Sequence, residues 1–328
     1  MTEIFLESKK TNIVWAMVLG LVLTVFGGCN KAPATKVSTI GIIAFTNSNS
    51  MVREGFNAGM AELGYLEGKN IRYIYTFIPE VNDQMIDSKI REFLSQDIDL
   101  IFSSGTLILK AKELAKGDMP ILFGGDAYPV ESGLVQNLQR PGGNITGVRA
   151  AESISKALEW LITIADGAKK IYLPYDTYDP IATMELPGLN KAASQLGIEL
   201  VVHKVYSVEE AAAAIGNLPE DIDAVFMIPS RLLNSRSGEL SRAAIKRGIP
   251  TGAALQLDED VLVTLTSDFA DIGKKTARLA KQILQGVKPS DLPVETADTL
   301  LTVNLKTAEK IGLHIPDDIL AQATTIVR

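Results

Sequence analysis

The chain has 328 residues, of which 46% are hydrophobic and 22% charged, and its net charge is −7. This is the composition of a folded globular protein, and 39 acidic against 32 basic residues with no basic stripe leave no electrostatic footprint for nucleic acid. Cys29 is the single cysteine, so an internal disulfide, a thiolate metal cluster and a buried catalytic thiol are all excluded.

The N-terminus indicates the compartment. Lys9 and Lys10 precede an apolar run over residues 13–26, the length of a signal-peptide core and short for a membrane span. Phe26, Gly27 and Gly28 then lead into Cys29. Small residues before a cysteine resemble a lipobox, with Phe26 at its usually aliphatic position. That resemblance implies a lipoprotein signal peptide over 1–28 and lipidation of Cys29. The other reading is an uncleaved N-terminal anchor, and both put the folded part outside the cytoplasm. Residues 29–37 are small and polar and read as a tether. The remainder is long enough for two lobes.

Strand and helix patterns alternate from there. STIGIIAF at 38–45 reads as a buried strand. Met51, Val52, Phe56, Met60 and Leu63 recur at helical spacing, and Gly64 stands where a helix ends. A strand over 70–75, a helix over 83–94, a strand over 99–103, a helix over 107–115 and a strand over 120–123 follow. Strands separated by crossover helices make a parallel sheet covered on both faces. The pattern then restarts: helices over 151–165, 181–196, 208–218 and 232–246 alternate with strands over 170–174, 198–202, 224–228 and 250–252. The expected fold is α/β, two Rossmann-like parallel-sheet lobes. Gly- and Pro-rich residues 128–149, the stretch 261–268 and GVKPSDLP at 286–293 are the candidate crossings between them, a three-segment hinge.

One long signature runs through the first crossing: DAYPV at 126–130, GLV at 133–135, Leu138 and RPGGNITG at 140–147. It resembles the ABC-transporter substrate-binding family that includes tryptophan and tyrosine uptake proteins. LGY at 63–65, GKN at 68–70, DLIFSSGT at 99–106, LPVET at 292–296 and IGL at 311–313 are similar to the same family. The resemblance covers residues 37–323 and implies a type I periplasmic-binding-protein fold. It also implies lobes over 38–146 plus 267–290 and over 147–266 plus 291–328. The implied function is capture of a small molecule, an amino acid or related carboxylate, in the interlobe cleft by hinge closure. A membrane permease with a cytoplasmic ATPase would then be its partner, and the protein a monomer without cofactor or metal.

In open parallel sheets, ligands sit beyond the carboxyl ends of the strands. The candidate ligand residues are therefore Thr46, Asn47 and Ser48 after the first strand, and Ser103, Ser104, Gly105 and Thr106 after the third. Both loops carry hydroxyls and free N–H groups ahead of a helix, which suit an anionic group or simply cap that helix. Asp126 either faces the cleft or braces the hinge. In the second half the candidates are Asp176, Thr177 and Tyr178, then Ser230 and Arg231, and Asp268 at the second crossing. Arg231 would favour a carboxylate if it points inward and is a solvated surface residue if it points out. Asp268 would bind a ligand amine or shape the hinge. Tyr128 and Tyr178 are the aromatic candidates.

An enzyme has little support. His203 and His314 are the only histidines and lie in unrelated stretches, and no HExxH motif or Gly-rich phosphate loop occurs. A ligand sensor reporting to a membrane receptor would use the same cleft as a transporter component.

Overall fold

The computed structural model describes residues 37–45, 50–79, 83–105, 107–115, 119–230, 232–255 and 260–328. The signal-peptide and most tether residues over 1–36, Cys29 among them, and the candidate ligand residues Thr46, Asn47, Ser48, Thr106 and Arg231 lie outside them. β1 (Ser38–Phe45) is buried over its six central residues, because Ile40 and Ile42 pack into one apolar layer and Ile43 into another on the opposite face. α1 (Met51–Glu62), β2 (Ile71–Ile78), α2 (Asp83–Leu94), β3 (Leu100–Ser103), α3 (Leu107–Leu114), β4 (Ile121–Asp126) and β5 (Ile145–Arg149) follow. The second half comprises α4 (Ile154–Ile164), β6 (Lys170–Asp176), α5 (Pro180–Leu196), β7 (Glu199–Val205), α6 (Val208–Gly216), β8 (Ala224–Met227), α7 (Ser237–Ile245), β9 (Thr251–Ala253) and β10 (Val263–Ser267). The chain closes with α8 (Phe269–Leu284), β11 (Glu295–Thr296), β12 (Thr299–Asn304), α9 (Leu305–Lys310), α10 (Asp317–Leu320) and β13 (Thr325–Val327).

These strands form two sheets, one of six strands in the order β11-β5-β4-β3-β1-β2 and one of seven in the order β13-β12-β10-β9-β8-β6-β7. Counted from its own first strand, each half has the doubly wound order two-one-three-four-five. In that order the chain reverses direction across the sheet between β1 and β3, and between β6 and β8, opening a crevice at the strand ends. Every pairing in the first sheet is parallel. In the second, β12 runs antiparallel to β10, with Thr299 opposite Ser267. Topology forces this: β10 ends where the chain leaves for the first sheet, and β12 begins where it returns, so the two must run in opposite directions.

Sheet membership shifts two of the expected crossings. β5 stays in the first sheet through Arg149, where Thr296 of β11 pairs with it, so the boundary expected at 146/147 falls after Arg149. The stretch 286–293 turns but does not cross. The Thr146 hydroxyl donates to the Leu292 carbonyl at 2.8 Å, and Val294 N–H donates to Leu138 O at 2.8 Å, which holds this stretch against the first sheet. The chain crosses afterwards, between β11 and β12. α7 is also shorter than the expected helix. Ser230 Oγ accepts from Leu233 N–H at 3.1 Å and Ser230 N–H donates to Asn234 Oδ1 at 2.9 Å, local bonds that compete with helix formation over 232–236. The edge strand β2 departs from the pattern of burial on both faces, since Tyr75 and Phe77 are exposed.

α8 follows β10 of the second sheet but packs on the first. A Cβ on Gly273 would lie 2.2 Å from Val52 O and 2.4 Å from Phe56 N, and one on Gly55 would lie 2.3 Å from Ala270 O. α1 and α8 therefore touch backbone to backbone, an approach only glycine permits. Beneath them Phe56 stacks on Phe102, with ring centroids 4.4 Å apart. Among the described residues, no helix is long and apolar enough to cross a membrane.

Candidate functional site

The chain passes between the sheets at Arg149–Ala151, at Ser267–Asp268 and at Thr296–Thr299, and hydrogen bonds lace these crossings together. Ala297 N–H donates to Arg149 O at 2.9 Å, and Asp268 N–H donates to Asp298 O at 2.9 Å. Ala151 N–H donates to Ser267 Oγ at 2.9 Å. Lys275 on α8 adds an ion pair to Asp298 at 3.1 Å and donates to the Thr296 carbonyl at 3.2 Å.

Against these crossings lies a cavity of about 250 Å³. Gly125, Ala127 and Tyr128 beyond β4 and Phe269 at the start of α8 line it from the first sheet's side. Pro229 beyond β8, Ala254 and Leu255 beyond β9, and Glu185 on α5 line it from the second. Ala150, Ala151 and Ser267 form its floor. Strand carboxyl ends of both sheets thus converge on one space, as ligand sites in open parallel sheets require. A larger open groove of about 590 Å³, lined by Ile215, Leu218, Arg242, Lys246 and Arg247, lies between α6 and α7. Those residues lead into the amino ends of β8 and β9, the wrong end for such a site. Arg247 there already donates to Leu218 O and Glu220 O at 3.0 and 2.9 Å.

Of the described residues nominated by sequence, Tyr128 alone lines the cavity, although several others flank residues that do. Their polar atoms hold the strand-end loops. Ser103, buried, donates to Ile43 O at 3.0 Å, tying β3 to β1 at the crevice. Ser104 borders a narrow slot beside Arg53, and Gly105 adopts a φ of +65° that disfavours any other residue. Asp126 Oδ1 accepts from Tyr128 N–H at 2.8 Å and Oδ2 from Ser132 Oγ at 3.4 Å. Burial pushes its carboxyl above the usual range. Asp176 is fully buried, and its oxygens accept from Tyr178 N–H at 2.9 Å and Leu232 N–H at 3.3 Å, bridging the loops beyond β6 and β8. Thr177 Oγ1 is buried with no hydrogen-bond partner among the described residues. Tyr178 is 61% exposed and meets Tyr206 edge to face at 6.4 Å. Asp268 caps α8 by accepting from Asp271 N–H at 2.9 Å. Tyr128 is the one nominated aromatic that lines the cavity.

Sequence reasoning missed Glu185. It lies in the second turn of α5, in the run PIATMELPGLN at 180–190, where it is the only charged residue. The carboxylate is half-buried, and burial raises its pKa above the usual glutamate value. Among the described residues no hydrogen bond or ion pair reaches it. A charge inside an otherwise apolar helical run was the available signal. Among the described residues no cluster of three or more His, Cys, Asp or Glu could hold a metal.

A family model described as ABC transporter substrate binding protein matches residues 39–327. The chain belongs to that family and is the substrate-binding protein of an ABC transporter, a class of extracytoplasmic binding proteins and not of enzymes. A tyrosine-binding protein of Clostridioides difficile (strain R20291) is 29% identical over 94% of both chains. The ligand-free, open structure of a substrate-binding protein with adhesive properties from Clostridium difficile superposes with a TM-score of 0.77 at 28% identity, covering 89% of this chain and 99% of that one. A Streptococcus pneumonia domain solved with L-Trp superposes with a TM-score of 0.76 at 21% identity, covering 89% of this chain and all of that one, a likeness of fold. A glucose-galactose binding protein of Geobacillus stearothermophilus, at 15% identity and a TM-score of 0.57 over 81% of this chain and 97% of that one, shares the architecture. The two-sheet arrangement is that of type I periplasmic binding proteins.

Proposed function

We propose that this protein is a lipoprotein, held at the membrane through Cys29, that captures an aromatic amino acid between its two sheets and delivers it to an ABC permease driven by a cytoplasmic ATPase. The observation that carries the reading is the cavity at which strand ends of both sheets meet, floored by the laced crossings. The relative named for tyrosine binding supports the ligand class. The cavity lies just under the roughly 300–1,000 Å³ of drug-sized ligand sites, room for a single small metabolite and not for a peptide or a sugar chain.

The mechanism is a population shift. A ligand contacting both sheets binds the closed arrangement better than the open one and moves the equilibrium toward it by that difference in affinity. Closure brings together faces of the two lobes that the permease can read. The lobes so defined are residues 38–149 with 269–297, and residues 150–267 with 299–328.

The test is titration of the mature protein with L-tyrosine, L-tryptophan and aliphatic amino acids, by calorimetry and small-angle scattering. Saturable binding of an aromatic amino acid with a fall in radius of gyration is expected. Saturation without compaction overturns the closure mechanism, and absence of aromatic amino-acid binding overturns the ligand class.

A further inference from the structure

Glu185 is set apart from the other acidic residues at the strand ends. Asp126, Asp176 and Asp268 all hold backbone N–H groups of their own loops. Glu185 lines the cavity and has no such partner among the described residues. The space is lined mainly by apolar and aromatic residues, Ala127, Tyr128, Ile154, Leu255 and Phe269 among them, with Ser153, Thr266 and Ser267 as its aliphatic hydroxyls. A charge withdrawn from water without a partner is costly, and a partner that arrives from solution relieves the cost. Among the described lining residues no lysine or arginine provides one. An anion brought to the same floor would meet a like charge. A cation would complete an ion pair at this half-buried carboxylate and could also share the face of the Tyr128 ring.

We propose that Glu185 is the charge-selecting group of the cleft, taking a primary ammonium of the ligand. The protein then distinguishes amines from their deaminated isosteres. This deepens the reading above and rests on it for the choice of probe. The ligand lies with its ammonium toward α5 of the second lobe and its apolar body against Tyr128 and Phe269 of the first.

The experiment measures dissociation constants of the wild type and of Glu185→Gln for L-tyrosine, tyramine and 3-(4-hydroxyphenyl)propionate. These probes share a ring but differ in which charges they carry. The isosteric substitution keeps shape, and matched circular dichroism verifies that it folds. In the wild type the propionate should bind at least about tenfold more weakly than L-tyrosine, a comparison that needs no variant. Glu185→Gln should weaken L-tyrosine and tyramine by at least about tenfold and leave the propionate bound as well as before or more tightly. Equal losses for all three probes would make Glu185 a brace of the cleft wall and overturn the proposal, as would no loss for either amine. If the wild type binds tyramine through Glu185 but neither L-tyrosine nor L-tryptophan, the amino-acid reading fails and the charge assignment stands. If it binds no amine at all, both fail.

Discussion

The two sides of the cleft share a strand order and are held in different ways. On the first side, α1 and α8 meet through glycine, backbone against backbone, although α8 is separated from α1 by the whole of the second sheet's strands up to β10. On the second side, the strand-end loops are held by side chains, with Asp176 bridging two loops and Ser230 folding a third segment. The facing surfaces differ too. The first side gives the cavity Gly125, Ala127, Tyr128 and Phe269, all uncharged, and the second gives it Glu185. One wall is neutral and the other, though it also presents Ile154, Pro229, Ala254 and Leu255, carries the one charge among the described lining residues, which suits a ligand with an apolar end and a charged end.

The largest effect is expected at the helix contact. Gly273→Ala puts a methyl group 2.2 Å from Val52 O. Neither backbone can yield without separating the helices, so a loss of about 3 kcal/mol is expected in denaturant unfolding. An unchanged midpoint would show that α1 and α8 do not touch as described. Next comes Asp176→Ala, which strands two N–H donors beside a buried position. It should cost about 2 kcal/mol and weaken ligand binding through the loosened loops. Loss of stability with unaltered affinity would separate those loops from the site.

The smallest effect concerns the charge on the second side. Burial raises the folded-state pKa of Glu185, so folding favours its protonated form. The stability this group contributes is fully present below the ordinary glutamate value, about pH 4, and is lost as pH rises through the raised one. Glu185→Gln escapes that loss. Without ligand, the variant should melt about a degree or two above the wild type near neutral pH and level with it near pH 4. A variant that melts lower at neutral pH would mean that the carboxylate has a stabilising partner in the fold.

Much of the architecture is legible in the sequence because parallel strands are buried runs of β-branched residues. Such runs as STIGIIAF leave few alternatives, and Gly and Pro punctuate the turns. The closing elements were not legible. β11 and β13 are only two and three residues long, and the antiparallel entry of β12 follows from where the chain returns, not from local pattern. GVKPSDLP has the chemistry of a crossing, but whether a turn leaves a lobe depends on distant partners such as Thr146. The presence of a cavity at the strand ends is what the strand-end rule leads one to expect. Its lining was not legible, because Asp and Ser in loops fold back onto nearby N–H groups, which turns Asp126, Asp176 and Ser230 away and leaves Ala127 and Pro229 facing inward. Glu185 was hidden for the opposite reason: it stands within a helix whose run reads as core.

The lacing of the crossings has a mechanical consequence. Arg149 is tied to Ala297, Ala151 to Ser267, and Asp268 to Asp298, so no strap can twist while the others stay still. Three independent tethers would let the halves wobble along several axes and leave a captured molecule to freeze each one. Bound to one another, they leave the halves fewer ways to turn, so that in the closure proposed above a small metabolite has less motion to arrest.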